Sequence, residues 1–140
     1  MTFLLDTNGV SEWVKPLPDP GLASWLATVD EDRVYLSVVT LAELRHGIER
    51  LADGRRRARL EMWLNQELAD RFVGRVLAVD APIAHASGRL VAQAEAAGQR
   101  LSVMDGFIAA TAQTHELTLV TRNVKNFTTT GVSVLNPWTG

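Results

Sequence analysis

A chain of 140 residues with 46% hydrophobic and 21% charged side chains has the composition of a folded domain with a sizeable core, which excludes a disordered polymer. There is no cysteine, so disulfides, zinc–thiolate sites and thiol nucleophiles are excluded as well. A net charge of −2 argues against a general electrostatic affinity for nucleic acid, so any phosphodiester contact has to be local.

The first stretch, Phe3-Leu4-Leu5, is a short apolar run that reads as a buried strand and leads straight into Asp6-Thr7-Asn8. It bears no likeness to a signal peptide, and no apolar run approaches the ~20 residues of a membrane span, so the expected address is the cytoplasm, with no membrane partner. A short helix carrying Val10, Trp13 and Val14 follows and is broken at Lys15-Pro16-Leu17-Pro18. Asp19-Pro20 predicts a helix start, with Asp as N-cap and Pro in the first turn, and Leu22, Trp25, Leu26 and Val29 form its apolar stripe. After the polar Asp30-Glu31-Asp32, the run Val34 to Val38 predicts a second strand. Thr40 then opens a helix with the stripe Leu41, Leu44, Ile48 and Leu51, which Gly54 ends. A further helix over about 55–72 carries Leu60, Trp63, Leu64 and Leu68, and the short connection makes these two an antiparallel hairpin. Val76 to Val79 is the third strand. Asp80-Ala81-Pro82 starts a helix with Ile83, Ser87, Leu90, Val91 and Ala94 inward and Gly98 just past its end. A loop over 100–104 leads to a helix from about Asp105 to His115, with Ile108, Thr111 and Ala112 inward. Leu117 to Thr121 is the fourth strand, 122–127 a turn, and Val132 to Leu135 the last strand. This alternation predicts an α/β fold over 1–140 as one domain, with a mostly parallel sheet and helices on both faces.

In a parallel sheet the strand exits lie along one edge, so Asp6, Glu43 and Asn123 can converge there, and Asp105 joins them if its helix starts at that edge. Each acid also has a purely structural reading. Asp6 can be a plain N-cap, and Thr40-x-x-Glu43 and Ser102-x-x-Asp105 both have the form of a capping box. If the acids do converge, they cannot all ionise unless a cation is present. Carboxylates with an amide oxygen suit Mg²⁺ or Mn²⁺, and the natural reaction of such an ion here is phosphodiester hydrolysis. His46, His85 and His115 show no ligand spacing. The basic residues Arg45, His46, Arg50, Arg55, Arg56, Arg57 and Arg59 are clumped, and read either as a solvated face or as a phosphate-binding surface.

Leu4-Leu5-Asp6-Thr7-Asn8, the segment from Ser37 to Leu44 with Glu43 inside it, Ser102-Val103-Met104-Asp105 with the alanine-rich helix after it, and Leu119-Val120-Thr121-Arg122-Asn123 together resemble a PIN domain. The closer likeness is to the toxin ribonucleases of the VapC and FitB type, and it runs in order from Phe3 to Trp138. The resemblance implies a PIN-like three-layer sandwich of about five strands and a Mg²⁺- or Mn²⁺-dependent endoribonuclease. It also implies a homodimer and an antitoxin encoded beside it whose tail blocks the acidic pocket. Carried over residue by residue, it makes Asp6, Glu43 and Asp105 catalytic acids and metal ligands and Asn123 a weaker ligand. Thr7, Asn8 and Thr121 would orient them, and Arg45, Arg55, Arg56, Arg57 and Arg59 would lie where RNA phosphates pass. Two positions, Gly9 and Asn126, depart from the pattern. Gly9 replaces the usual apolar residue and is expected to loosen the first helix. Asn126-Phe127 replaces an acid–Phe pair, and the neutral Asn123 weakens the case for a second metal. A dehalogenase-type phosphatase would need an acid where Asn8 stands, and a receiver domain a lysine where Asn136-Pro137 stands. The alternative of a different class is a non-catalytic PIN-like module that binds RNA or a partner.

Overall fold

The computed structural model describes residues 1–139. Strands β1 (Phe3–Leu5), β2 (Val34–Ser37), β3 (Val76–Leu77), β4 (Thr118–Val120) and β5 (Val134–Leu135) form one sheet in the order β3-β2-β1-β4-β5. Every neighbouring pair is parallel. The chain winds outward from β1 to β3, then returns past β1 to β4 and β5. The winding therefore reverses between β1 and β4, where open α/β sheets place their ligands.

Side-chain alternation along β1 divides the core between the two faces. Leu4 turns to one side with Leu119, under α6 (Ala81–Ala96) and α7 (Val103–Thr114), while Leu5 turns to the other with Val120, Val34 and Leu36. That second face is covered by α1 (Thr7–Trp13), α2 (Pro20–Thr28), α3 (Val38–Glu49) and α4 (Arg55–Met62). This is the three-layer α/β sandwich expected.

The caps act where the sequence places them. Asp19 accepts from the Leu22 amide at 3.0 Å, Asp80 from Ile83 at 3.1 Å and Ser102 from Asp105 at 3.1 Å, each worth about 1 kcal/mol. Helix α6 ends in a Schellman motif. Gly98 has φ 73°, its amide bonds to Glu95 O, and the Gln99 amide bonds to Ala94 O.

Several expectations need correction. The second strand stops at Ser37, and Ser37, not Thr40, caps α3, its hydroxyl accepting from the Val39 amide at 3.0 Å. Glu43 is thus the sixth residue of the helix, too far in to form a capping box with Thr40. Gly54 does not end α3, which finishes at Glu49; it is the N-cap residue of α4 instead. The helix expected over 55–72 is regular only to Met62. It widens into a π-helical segment, Trp63–Leu68, and closes with a turn, α5 (Ala69–Arg71). Leu64, Leu68 and Phe72 are all buried at four-residue spacing, and a wider turn reduces the ~40° by which such residues drift round an α-helix. Strands β3, β4 and β5 are each shorter than the apolar runs that announce them.

Two glycines permit close approach. A Cβ on Gly106 would lie 2.8 Å from Ser87 Oγ and 2.9 Å from Val91 Cγ2, so α7 can press onto α6 only with glycine there. A Cβ on Gly9 would lie 2.4 Å from Leu5 Cδ1. The consequence of Gly9 is therefore tight packing of the fully buried Leu5 against α1, rather than only a loosened helix. Restoring a side chain at position 9 opposes helix propensity to overpacking. Gly9→Ala alone is expected to destabilise by about 1 kcal/mol, and Gly9→Ala in a Leu5→Val background to cost nothing further. Urea unfolding of the four proteins checks this; equal effects in the two backgrounds would refute the close contact.

Candidate active site

Asp6 is both a cap and a site residue, with one oxygen for each role. Its backbone continues the β1–β4 ladder, the amide donating to Val120 O at 3.0 Å, and Oδ1 accepts from the Thr7 amide at 2.7 Å at the start of α1. Oδ2 accepts from the buried Thr121 hydroxyl at 2.8 Å and from Asn8 Nδ2 at 3.3 Å. The carboxylate is thereby fixed at the switch point between β1 and β4. The Thr7 hydroxyl, one residue on, donates to Glu43 Oε1 at 2.5 Å and lies 3.1 Å from the Thr40 hydroxyl. Glu43 is thus steadied from α1. Asp105 is the third residue of α7, so the Ser102 cap and the Gly106 contact together set where it stands.

Asp6, Glu43, Asp105 and Asn123 line one open cavity of about 410 Å³, together with Lys15 and Trp138. Asn123 is exposed, and its amide donates to Thr121 Oγ1 at 3.1 Å. The edge predicted from strand exits therefore gathers all four residues. Thr7, Asn8, Ser11, Glu12 and Arg122 complete the lining. Of these Ser11, Glu12, Lys15, Arg122 and Trp138 escaped the sequence reading. Thr7, Ser11 and Lys15 recur every four residues, which is a helical-face signal. Nothing in the local sequence marks Trp138. Lys15 bonds Glu12 at 3.0 Å, and this bond holds the Glu12 carboxyl below its usual range.

The cationic cluster divides. Arg57 pairs with Glu49, with Glu61 at 3.0 Å and with Asp53 at 3.4 Å, and also donates to Leu51 O at 3.2 Å, so it ties the α3–α4 connection together. Arg45 bonds Asn65. Arg55 is exposed at the start of α4, and Arg56 and Arg59 line a neighbouring cavity rather than the acidic one. His46, His85 and His115 are all exposed, and none of them lines the acidic cavity.

The electrostatics are those of a site short of positive charge. Burial pushes the Asp6 carboxyl up to about 6; the Thr121 and Thr7 hydrogen bonds oppose the rise, and the charges of Asp105 and Glu43 add to it. Asp105 is raised too, first by burial and then by Glu43, against hydrogen bonds with Ser102 and Asn126. Asn126, a departure from the expected pattern, thus acts to lower the pKa of a pocket acid. Among the described residues no three of His, Cys, Asp and Glu stand close enough to enclose an ion unaided. The set suits a hard divalent cation that takes one or two carboxylates and keeps most of its waters. The chain's own oxygens fit that ion, and its charge would relieve the crowding of acids.

Residues 3–131 match the family described as PIN domain. The chain belongs to the PIN-domain family. Within it, the chain is 39% identical over 136 residues to Toxin FitB of Neisseria gonorrhoeae, covering 97% of this chain and 98% of that protein. It is 36% identical to VapC ribonuclease Y4jK of Sinorhizobium fredii, covering 97% of both. The crystal structure of FitAcB from Neisseria gonorrhoeae superposes on this PIN domain with a TM-score of 0.92 at 38% identity, over 99% of this chain and 100% of that one. The structure of FitAB bound to IR36 DNA gives 0.91 at 36% identity, over 98% and 96%. This is a PIN domain of the FitB and VapC type.

The raised Asp6 pKa has a sign that can be tested. The folded protein holds the Asp6 proton more tightly than the unfolded chain, so in metal-free buffer stability falls as pH rises from about 4 through about 6. The roughly two-unit shift is worth on the order of 2–3 kcal/mol. Asp6→Asn keeps a good N-cap residue and removes the charge. In EDTA it is expected to be more stable than the parent near pH 7.5 and to match it near pH 4, as read by thermal unfolding across that range. A variant no more stable than the parent near pH 7.5 would contradict the strain assigned to Asp6.

Proposed function

We propose that this PIN domain is a divalent-metal-dependent endoribonuclease, the toxin of a toxin–antitoxin pair, acting in the cytoplasm as a homodimer held by its antitoxin. The observation that carries the reading is the gathering of Asp6, Glu43 and Asp105 on one cavity at the sheet's switch point. Its relatives support the same reading: one is named a VapC ribonuclease, and a solved neighbour at 30% identity, VapBC-5 from Mycobacterium tuberculosis, is a member of the VapBC family of toxin–antitoxin systems.

Asp6 and Asp105 are the principal ligands for Mg²⁺ or Mn²⁺ in this reading, with Glu43 as third acid and Asn123 as a weaker donor. The bound ion supplies an activated water and stabilises charge on the phosphoryl oxygens. The chain's own residues do the rest. Thr121 and the Thr7 amide hold the two Asp6 oxygens in fixed directions. The Thr7 hydroxyl fixes one Glu43 oxygen, leaving the other free to orient a water and take its proton. Lys15 brings a cation to the rim of an otherwise acidic cavity, where a phosphodiester must approach.

Total cellular RNA incubated with the purified protein tests this. Discrete fragments are expected with Mg²⁺, none with EDTA, and a loss on the order of 100-fold or more with Asp105→Asn. Mn²⁺ titration is expected to show binding to the parent that Asp6→Asn loses. Absence of both cleavage and metal binding would favour the non-catalytic module instead.

A further inference from the structure

Beside the acidic cavity lies a second one of about 320 Å³, between α1, α3 and α4. Its walls include Leu44, Ile48, Leu51, Leu60 and Trp63. Arg56 and Arg59 also line it, both exposed, and among the described residues neither is paired with an acid. The two cavities adjoin. Thr7, Ser11, Lys15 and Glu43 line both, so the apolar chamber borders the acidic cavity at Glu43. Trp63 stands at the first residue of the π-helical segment, a departure from regular helix that often accompanies a functional site.

We propose that this chamber receives the base of the nucleotide adjoining the scissile phosphate, and so makes the enzyme sensitive to what flanks the cut. The proposal rests on the ribonuclease reading and gives it a substrate-binding subsite. A base is flat and apolar on its faces, and it stacks on aromatic rings whatever its identity. Its phosphate is anionic. A chamber with leucine and tryptophan walls and a cationic rim, joined through Lys15 to a phosphodiester-cleaving pocket, matches both parts of a nucleotide at once. An RNA strand crossing the acids can thus place one base in the chamber while its phosphate passes Arg56 and Arg59. The substrate is single-stranded at this point, because a paired base cannot leave the helix to enter.

Gly47 supplies the test. It lines the chamber on the exposed side of α3, and a Cβ built there meets no heavy atom within 4 Å. Gly47→Phe therefore adds a ring beside the chamber with no clash at its Cβ, and replacing a helical glycine favours the helix. A short RNA carrying one mapped cleavage site is made as a set, with an abasic residue at each position in turn. With the parent protein, an abasic residue at one position beside the cut is expected to raise KM by at least about tenfold. With Gly47→Phe, the intact RNA is expected to show that same loss, and the abasic substitution no further one. Arg56→Gln with Arg59→Gln, both on the surface, is expected to raise KM and flatten its dependence on salt. Cleavage by Gly47→Phe with the parent's KM and the parent's abasic profile would overturn the proposal. So would an unchanged cleavage profile with lost binding of a protein partner, which would assign the chamber to that partner. If the parent neither cuts nor binds any RNA, the ribonuclease reading itself falls, and the subsite with it.

Discussion

The Asp6 carboxylate is held by one backbone amide, one buried hydroxyl and, at longer range, the Asn8 side-chain amide, and these bonds join the first strand, the first helix and the fourth strand at a single point. A charge almost wholly removed from water is costly unless it is hydrogen-bonded. Thr7 and Thr121 meet that requirement only in part, since Glu43 and Asp105 add negative charge nearby. The site is therefore strained electrostatically in the absence of a cation, and it is ordered at the same time. That combination suits the site to positive charge: the carboxylates need not move to meet a cation, which would remove repulsion already present.

The remaining parts of the fold serve to bring other chain segments to that point. Each parallel pair needs a crossover, and the crossovers deliver helix starts to the edge where strands end. Glu43 arrives on α3 after β2, and Asp105 on α7 before β4. The placement of Asp105 depends on contacts well away from any acid. The close α6–α7 packing at Gly106 and the run of fully buried alanines, Ala109, Ala110 and Ala112, fix the height of α7 over the sheet. A methyl group added on that face would move a carboxylate on another.

Much of this was legible in the chain. Short apolar runs mark the strands because buried parallel strands need apolar side chains on both faces. Asp19-Pro20, Asp80 and Ser102 mark helix starts because few residues cap well. The four pocket residues were legible because a parallel sheet dictates which edge they share. Other features were hidden for physical reasons. Val38 reads as strand but lies in α3, because the Ser37 hydroxyl caps the helix before Thr40 can. The π-helical turn answers to the spacing of core residues that only tertiary packing reveals. Arg57 reads as part of a cationic face, yet its charge is met by acids from the α3–α4 connection and α4 itself. Trp138 reaches the cavity from the far end of the chain, and no local pattern announces it.

The pairing of the central strand has a consequence for timing. β1 is the first strand to leave the ribosome, but β4 lies some 115 positions later, as does Thr121 from Asp6. Domains fold when their long-range partners become available, and sheets built on distant pairings wait longest. The half of the sheet made early, β1 with β2 and β3, has Asp6 and Glu43 but no Thr121 to hold Asp6 and no Asp105. A nascent chain therefore lacks the complete acidic pocket until nearly all of it has been translated.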